Sequence, residues 1–298
     1  MKALVLGCKG QLGVALADTA PSDIELAGFD LPELDITNAD ALLQCCREAR
    51  PNVVINAAAY TAVDKAESEP ALATSVNVEG PRNAALAARD VGARLIHIST
   101  DYVFDGGSST PYKADAQTHP LNVYGRTKRE GELAVLEETS GTAIVIRTSW
   151  LYSRTGSNFV KTMLQLMSER EEIGVVNDQI GTPTWAASLA KAVWAFVRSP
   201  GHSGIFHWSD GGKASWRDFA VAIQEEALSL GLLKGPISIK SLRTEDYPTA
   251  ARRPPYSVLD CSTTHAALDL KAPQWRSNLH RMFKDDAACG QRWYNPAL

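Results

Sequence analysis

A chain of 298 residues can bury one or two hydrophobic cores without disulfide or metal staples. With 30 Lys+Arg against 34 Asp+Glu, a net charge of −4, it advertises no basic face for nucleic acid or anionic lipid. Its apolar runs fall short of the roughly 20 residues of a membrane span, and Met1-Lys2 leads into a strand-like segment rather than a signal peptide. The expectation is a cytoplasmic protein, with no nucleic acid or membrane partner, that works on small molecules. The cysteines Cys8, Cys45, Cys46, Cys261 and Cys289 form no C-x-x-C pair and no zinc spacing, and read as reduced thiols.

Lys2 to Gly7 is a short apolar run closed by glycine, and Gln11 to Thr19 carries Leu12, Ala15 and Leu16 at helical spacing. Ile24 to Asp30 reads as a second strand ending in an acid, and Thr37 or Asn38 caps a helix through Arg50. Asn52 to Asn56 is a third strand, Pro70 to Arg89 an alanine-rich helix, and Arg94 to Thr100 a fourth strand that is apolar on both faces. A helix carrying Tyr124 and a fifth strand, Ala143 to Trp150, follow. Strands without alternation, separated by helices of this length, predict an α/β fold with a doubly wound parallel sheet of Rossmann type.

Beyond Trp150 the rhythm loosens. Helices are expected at 158–170, 184–198, 216–230 and near 278–286, with a further strand at 173–177. Residues 1–150 and 172–200 are expected to form a dinucleotide-binding domain, and 151–171 and 201–298 a smaller α/β lobe over the sheet's carboxyl edge, where such sheets bind ligands.

Gly7, Gly10 and Gly13 stand as G-x-x-G-x-x-G between the first strand and first helix. The first suits a tight turn, the second close approach of a pyrophosphate, the third packing of helix on strand; the helix start then offers N–H groups and a positive dipole. A glycine turn with no ligand is the plainer alternative. Asp30 ends the second strand where an acid can bind an adenosine ribose, and with no arginine beside it the charge favours NADH over NADPH. Asp35 and Ile36 fall near the adenine end. Ala57, Ala58 and Ala59 are small enough for a flat cofactor to lie against the third strand's end, although plain packing accounts for them equally well.

Tyr124 and Lys128 are four apart, so on a helix they share a face, and an ammonium beside the phenol lowers its pKa from about 10 toward neutrality. Thr100 ends the fourth strand on the same sheet edge and can donate a hydrogen bond to a carbonyl. The three together suggest a proton-donating catalytic site where each alone does not.

With Gly10-Gln11-Leu12-Gly13, the run Asn56 to Glu67, Ser99 to Gly106, Leu121 to Gly125, Arg147 to Trp150, Asn177 to Thr184 and Arg252-Arg253-Pro254, nearly the whole chain resembles the extended short-chain dehydrogenase/reductases. Within them it is similar to the dTDP-4-dehydrorhamnose reductases of cell-surface polysaccharide synthesis. The resemblance implies hydride transfer from NADPH or NADH to the C4 ketone of dTDP-4-dehydro-6-deoxy-L-mannose, giving dTDP-L-rhamnose, with Tyr124 as proton donor. It puts Gly10, Gln11, Leu12, Asp30, Asp35, Ile36, Ala59, Tyr60, Thr61, Tyr124 and Lys128 on the dinucleotide. It puts Thr100, Asp101, Trp150 and their neighbours Val103 and Phe104 on the sugar nucleotide, with Asn158 and Arg253 toward the nucleotide end. Trp150 would offer the deoxysugar an apolar plane, and Arg253 a guanidinium for pyrophosphate.

Members that dimerise through Mg²⁺ hold it with glutamates at places taken here by Ala15 and Ala187, so a metal bridge is not expected and a monomer or weak homodimer is. Cys8, near a helix N-terminus, is a candidate for a lowered thiol pKa. Two other classes fit the same scaffold: a sugar-nucleotide epimerase or dehydratase, which would show no net oxidation, and a non-catalytic regulatory subunit, which need not keep Thr100, Tyr124 and Lys128.

Overall fold

The computed structural model describes residues 1–288; Cys289 and the rest of the tail assigned to the smaller lobe lie outside the described residues. The first half runs β1 (Lys2–Leu6), α1 (Gln11–Asp18), β2 (Glu25–Phe29), α2 (Ala39–Ala49), β3 (Val53–Asn56), α3 (Val63–Ser68), α4 (Pro70–Thr74), α5 (Gly80–Asp90), β4 (Arg94–Thr100), α6 (Val123–Glu138) and β5 (Ile144–Thr148). The second half runs β6 (Leu151–Tyr152), α7 (Phe159–Glu169), β7 (Glu172–Val176), β8 (Ile180–Gly181), β9 (Thr184–Trp185), α8 (Ala186–Arg198), β10 (Gly204–His207), β11 (Ala214–Ser215), α9 (Trp216–Ser229), β12 (Ser238–Leu242), α10 (Ser262–Leu268) and α11 (Trp275–Ala288).

Six strands form the central sheet in the order β10-β5-β4-β3-β1-β2, every pair parallel. Consecutive side chains on a strand point to opposite faces, and both faces of β1 are apolar: Ala3 and Val5 pack with α1 and α8, Leu4 and Leu6 with α2 and α5. Burial on both sides explains the unbroken apolar runs, and the doubly wound expectation is met. The strand order reverses between β1 and β3, so the loops after these strands open a crevice at the carboxyl edge. A second core, with Tyr152, Met163, Ile173, Phe219, Ile239 and Phe283, gathers the smaller lobe.

Two strands differ from the expectation. Residues 172–176 leave the main sheet and pair in parallel with β12, because their burial alternates, Ile173 inward and Glu172 and Gly174 outward, as suits a strand with one wet face. The central sheet takes its sixth strand from β10 instead, in the stretch assigned to the lobe; its four residues Gly204–His207 run against Ile144–Arg147. The helix expected over 70–89 is broken by a π turn at Ser75–Glu79, which holds fully buried Asn77. Asn77 accepts from Tyr60 N at 2.8 Å and donates to Tyr60 O at 3.1 Å, fixing the loop after β3. β5 stops at Thr148 because Trp150 takes a left-handed φ of +45°, which costs a non-glycine residue about 1–3 kcal/mol.

Candidate active site

The three glycines have separate steric reasons. Gly7 has φ +81°, and a Cβ there would stand 2.7 Å from Ala58 N. On Gly13 a Cβ would reach 2.3 Å from Gly7 O and 2.5 Å from Cys8 Cα, so only glycine lets α1 seat against β1. A Cβ on Gly10 would meet nothing closer than Gly7 O at 3.4 Å, so its outer side is open. Gly10 is also the N-cap of α1, no side chain caps that end, and no acid stands in the first turn. The free N–H groups and helix dipole suit a diphosphate. Leu12 contributes backbone only, its side chain being 4% exposed in the core. Gln11 turns its side chain to the smaller lobe, accepting from Ser153 Oγ at 3.1 Å and Asn158 Nδ2 at 3.0 Å.

At the end of β2, Asp30 accepts from Lys9 N and Leu31 N, each at 2.8 Å, which aims its carboxylate across the glycine turn. The Lys9 ammonium stands beside it, donating to Leu31 O at 2.9 Å and pairing with exposed Glu33 at 2.7 Å. Judging the charge by arginine alone overlooked this cation, whose position one residue before Gly10 was the available signal. Asp35 caps the turn before α2 by accepting from Thr37 N and Oγ1, each at 2.8 Å, and Ile36 is buried under Gly80. Past β3, Ala57 N donates to Leu6 O and Ala58 N to Asn56 Oδ1. Tyr60 donates its hydroxyl to Glu69, and Thr61 is exposed.

Thr100, 5% exposed, accepts from Tyr102 N at 3.2 Å and donates to Asp101 Oδ1 at 3.1 Å. Asn122 caps α6 by accepting from Gly125 N, and a Cβ on Gly125 would stand 2.1 Å from Tyr102 O. Glycine there lets the helix press its first turn onto the 101–103 turn, bringing Tyr124 to the end of β4. The expected acidification of the phenol is reversed: its pKa is pushed up to about 12 by burial, with a Thr100 hydrogen bond pulling down and Asp101 pushing up. Lys128 does not answer it, because the ammonium, 2% exposed, donates to Ile98 O at 2.7 Å. Burial lowers Lys128 to about 8, against the raising influence of Glu132 one turn on. Glu132 is fully buried and accepts from Arg147 Nε and Nη2 at 2.8 Å, Arg129 at 2.7 Å and Ser99 Oγ at 2.5 Å. This network, missed in the sequence, was signalled only by Glu132 lying four residues after Lys128.

On the substrate side Asp101 is 2% exposed, and burial raises it to about 7, against hydrogen bonds from Ser257 and Thr100. Val103 and Phe104 are fully buried, Phe104 stacked on Tyr112 at 4.1 Å, so their side chains serve a core. Asn158 caps α7, accepting from Lys161 N at 3.2 Å. Arg253 is paired with Asp64 through both nitrogens, at 3.1 and 2.7 Å, which ties the 251–257 loop to α3. Trp150 offers no free plane: Trp216 stacks on it with centroids 3.5 Å apart and planes at 6°, and Gly181 packs so closely that a Cβ would sit 2.5 Å from the indole. Trp216 carried no signal in the sequence beyond its place at a helix start.

Cys8 is raised rather than lowered, first by burial and then by Asp30, against the lowering pull of Lys9. Ala15 and Ala187 line a cavity of about 450 Å³ with Asp18, Lys191 and Asp285. Among the described residues no three His, Cys, Asp or Glu side chains are grouped to hold a metal, and the two alanines give Mg²⁺ no ligand. No described helix is long and apolar enough to cross a membrane.

The sequence model described as RmlD substrate binding domain matches residues 1–288. The dTDP-4-dehydrorhamnose reductase of Aggregatibacter actinomycetemcomitans is 42% identical over 283 residues, 93% of this chain and 96% of that relative. A solved dTDP-4-dehydrorhamnose reductase of Clostridium acetobutylicum superposes with a TM-score of 0.90 at 38% identity, covering 96% of this chain and 100% of that one. The Bacillus anthracis reductase, solved in complex with NADP, gives a TM-score of 0.90 at 38% identity, over 95% of this chain and 99% of that one. The chain belongs to the RmlD substrate-binding family, in which these relatives are dTDP-4-dehydrorhamnose reductases.

Proposed function

We propose that this protein reduces the C4 ketone of dTDP-4-dehydro-6-deoxy-L-mannose to dTDP-L-rhamnose, using NADPH or NADH, with Tyr124 as the proton donor. What supports this reading above all is the meeting of a protonated phenol and the Thr100 hydroxyl at the carboxyl end of β4, beside an uncapped glycine turn. Bound reduced nicotinamide supplies the hydride that adds to C4. Gln11, Leu12 and Gly13 hold the diphosphate through the free backbone N–H groups of the first turn, Gly7 and Gly10, whose own N–H groups bond Phe29 O and Gly7 O, let it approach the turn, Asp30 takes the adenosine ribose, and the loop from Ala57 to Thr61 borders the dinucleotide. Lys9, beside Asp30, would offer its ammonium to a 2′-phosphate by giving up its exposed partner Glu33, so both dinucleotides are accepted.

Thr100 donates to the ketone oxygen and Tyr124 delivers the proton as charge develops there, so carbonyl carbon and oxygen each gain one hydrogen and the tyrosine is left as phenolate. A pKa of about 12 keeps the phenol in the donating form at neutral pH. Lys128, on the same helix face with its ammonium turned to Ile98 O, holds the cofactor's ribose, and Glu132 favours its charged form. Asp101 borders the sugar.

The test is stoichiometric. With the dTDP-ketosugar, reduced dinucleotide should be consumed mole for mole and a dTDP-6-deoxyhexose should appear. An epimerase or dehydratase would convert sugar without net oxidation, and a regulatory subunit would bind without turnover; either result ends this assignment.

A further inference from the structure

Trp150 lies two residues beyond β5, at the edge of the main sheet, while Trp216 opens α9 in the smaller lobe. Their indoles stack almost parallel, with centroids 3.5 Å apart, and both pack against the core of the smaller lobe, so the stack ties the segment leaving β5 to that lobe. Phe159 backs Trp216 at 4.7 Å, and Gly181 leaves room for the Trp150 ring and for nothing larger. Both stacked tryptophans keep partial exposure, as does Trp185, whereas Trp194, Trp208 and Trp275 are 4%, 1% and 6% exposed. Trp150 also holds a left-handed backbone, a conformation that persists only where neighbours over-determine it and that gathers at functional sites.

We propose that Trp216 is a positioning residue for the sugar nucleotide: by stacking on one face of Trp150 it fixes the indole just past the carboxyl end of β5, with its partly exposed edge rather than a face left for the sugar nucleotide, and so sets the affinity of the crevice for that ligand. This rests on the reading of the crevice as a nucleotide-sugar site. Trp216 acts through Trp150 and takes no part in hydride or proton transfer.

Trp216→Leu keeps apolar volume and removes the stack, and Gly181→Ala drives a methyl into the same indole from its other contact. Each should raise KM for the dTDP-ketosugar about tenfold, with kcat and the dissociation constant of NADPH within about twofold. Trp216→Phe should restore most of the loss. The far-ultraviolet exciton couplet of the stacked indoles should vanish in Trp216→Leu and shift when dTDP-L-rhamnose is added to the wild type. Wild-type KM in a folded Trp216→Leu protein overturns the proposal, as does a fall in kcat or in NADPH affinity that matches the rise in KM. If Trp216→Leu does not fold, Gly181→Ala decides by the same readouts. Wild-type protein that turns over no dTDP-ketosugar overturns the functional reading itself, which a normal wild type beside a normal variant does not.

Discussion

The glycine turn and the tyrosine corner lie on the same sheet edge, yet they depend on different kinds of interaction. At the turn, backbone does the binding, and what each residue must be follows from local sterics: Gly13 and Gly7 are forced by contacts below 3 Å, and Gly10 is the one whose outer side is left open. At the corner, the geometry is local but the chemistry is not. The spacing of Tyr124 and Lys128 sets them on one helix face, while burial moves the phenol up to about 12 and the ammonium down to about 8. Spacing predicts neighbours; solvent exclusion decides protonation.

The sharpest way to break this contrast is Tyr124→Phe. It should cut kcat by about a hundred- to ten-thousandfold while dinucleotide affinity, measured by titration, stays within about twofold; equal losses in both would merge the two regions into one. Next comes Gly13→Ala, whose methyl would lie 2.3 Å from Gly7 O. Chemical denaturation should register about 1–3 kcal/mol of lost stability, together with weaker dinucleotide binding. Gly10→Ala, facing open space, should leave the denaturation midpoint unchanged and weaken dinucleotide binding alone. A smaller effect is expected of Lys9→Gln, on the surface: KM for NADPH should rise by about fivefold, as befits one partly solvated cation, with KM for NADH unmoved. A parallel rise for NADH would show that Lys9 shapes the turn rather than reading a phosphate.

The smallest effect separates burial from catalysis. Asp101 has its folded pKa raised to about 7 from an ordinary 3.8, so its favourable contribution is complete below about pH 4 and is lost as pH rises toward 7. Asp101→Asn should flatten that slope in an unfolding curve measured across this range, and a slope unchanged in the variant would mean that the carboxyl is already ionised in the folded protein.

The fold was legible where a signal repeats. β1, β3, β4 and β5 announced themselves because strands buried on both faces are continuously apolar, the exposed edge strand β2 followed from its place in the alternation, α3 at 63–68 went unread, and Gly7-x-x-Gly10-x-x-Gly13 sat where such a fold needs it. β10 escaped notice because four residues, two of them Gly204 and His207, carry too little pattern, and β7 was taken for its sheet because a short apolar run does not say which sheet it joins. In the candidate site, residue identity was readable and residue partnership was not. Arg253 turned to Asp64, Phe104 to Tyr112 and Trp150 to Trp216, each a contact across more than two positions of sequence memory and settled only by the folded shape.

The route of the chain through the two lobes has one more consequence. It leaves the main sheet after β5, builds part of the small lobe, returns through α8 and β10, and departs again. A single proteolytic nick between 177 and 203 therefore leaves each fragment holding pieces of both halves. Neither lobe can be expressed alone by simple truncation, and a ribosome must release residue 207 before the nucleotide-binding frame has its last strand.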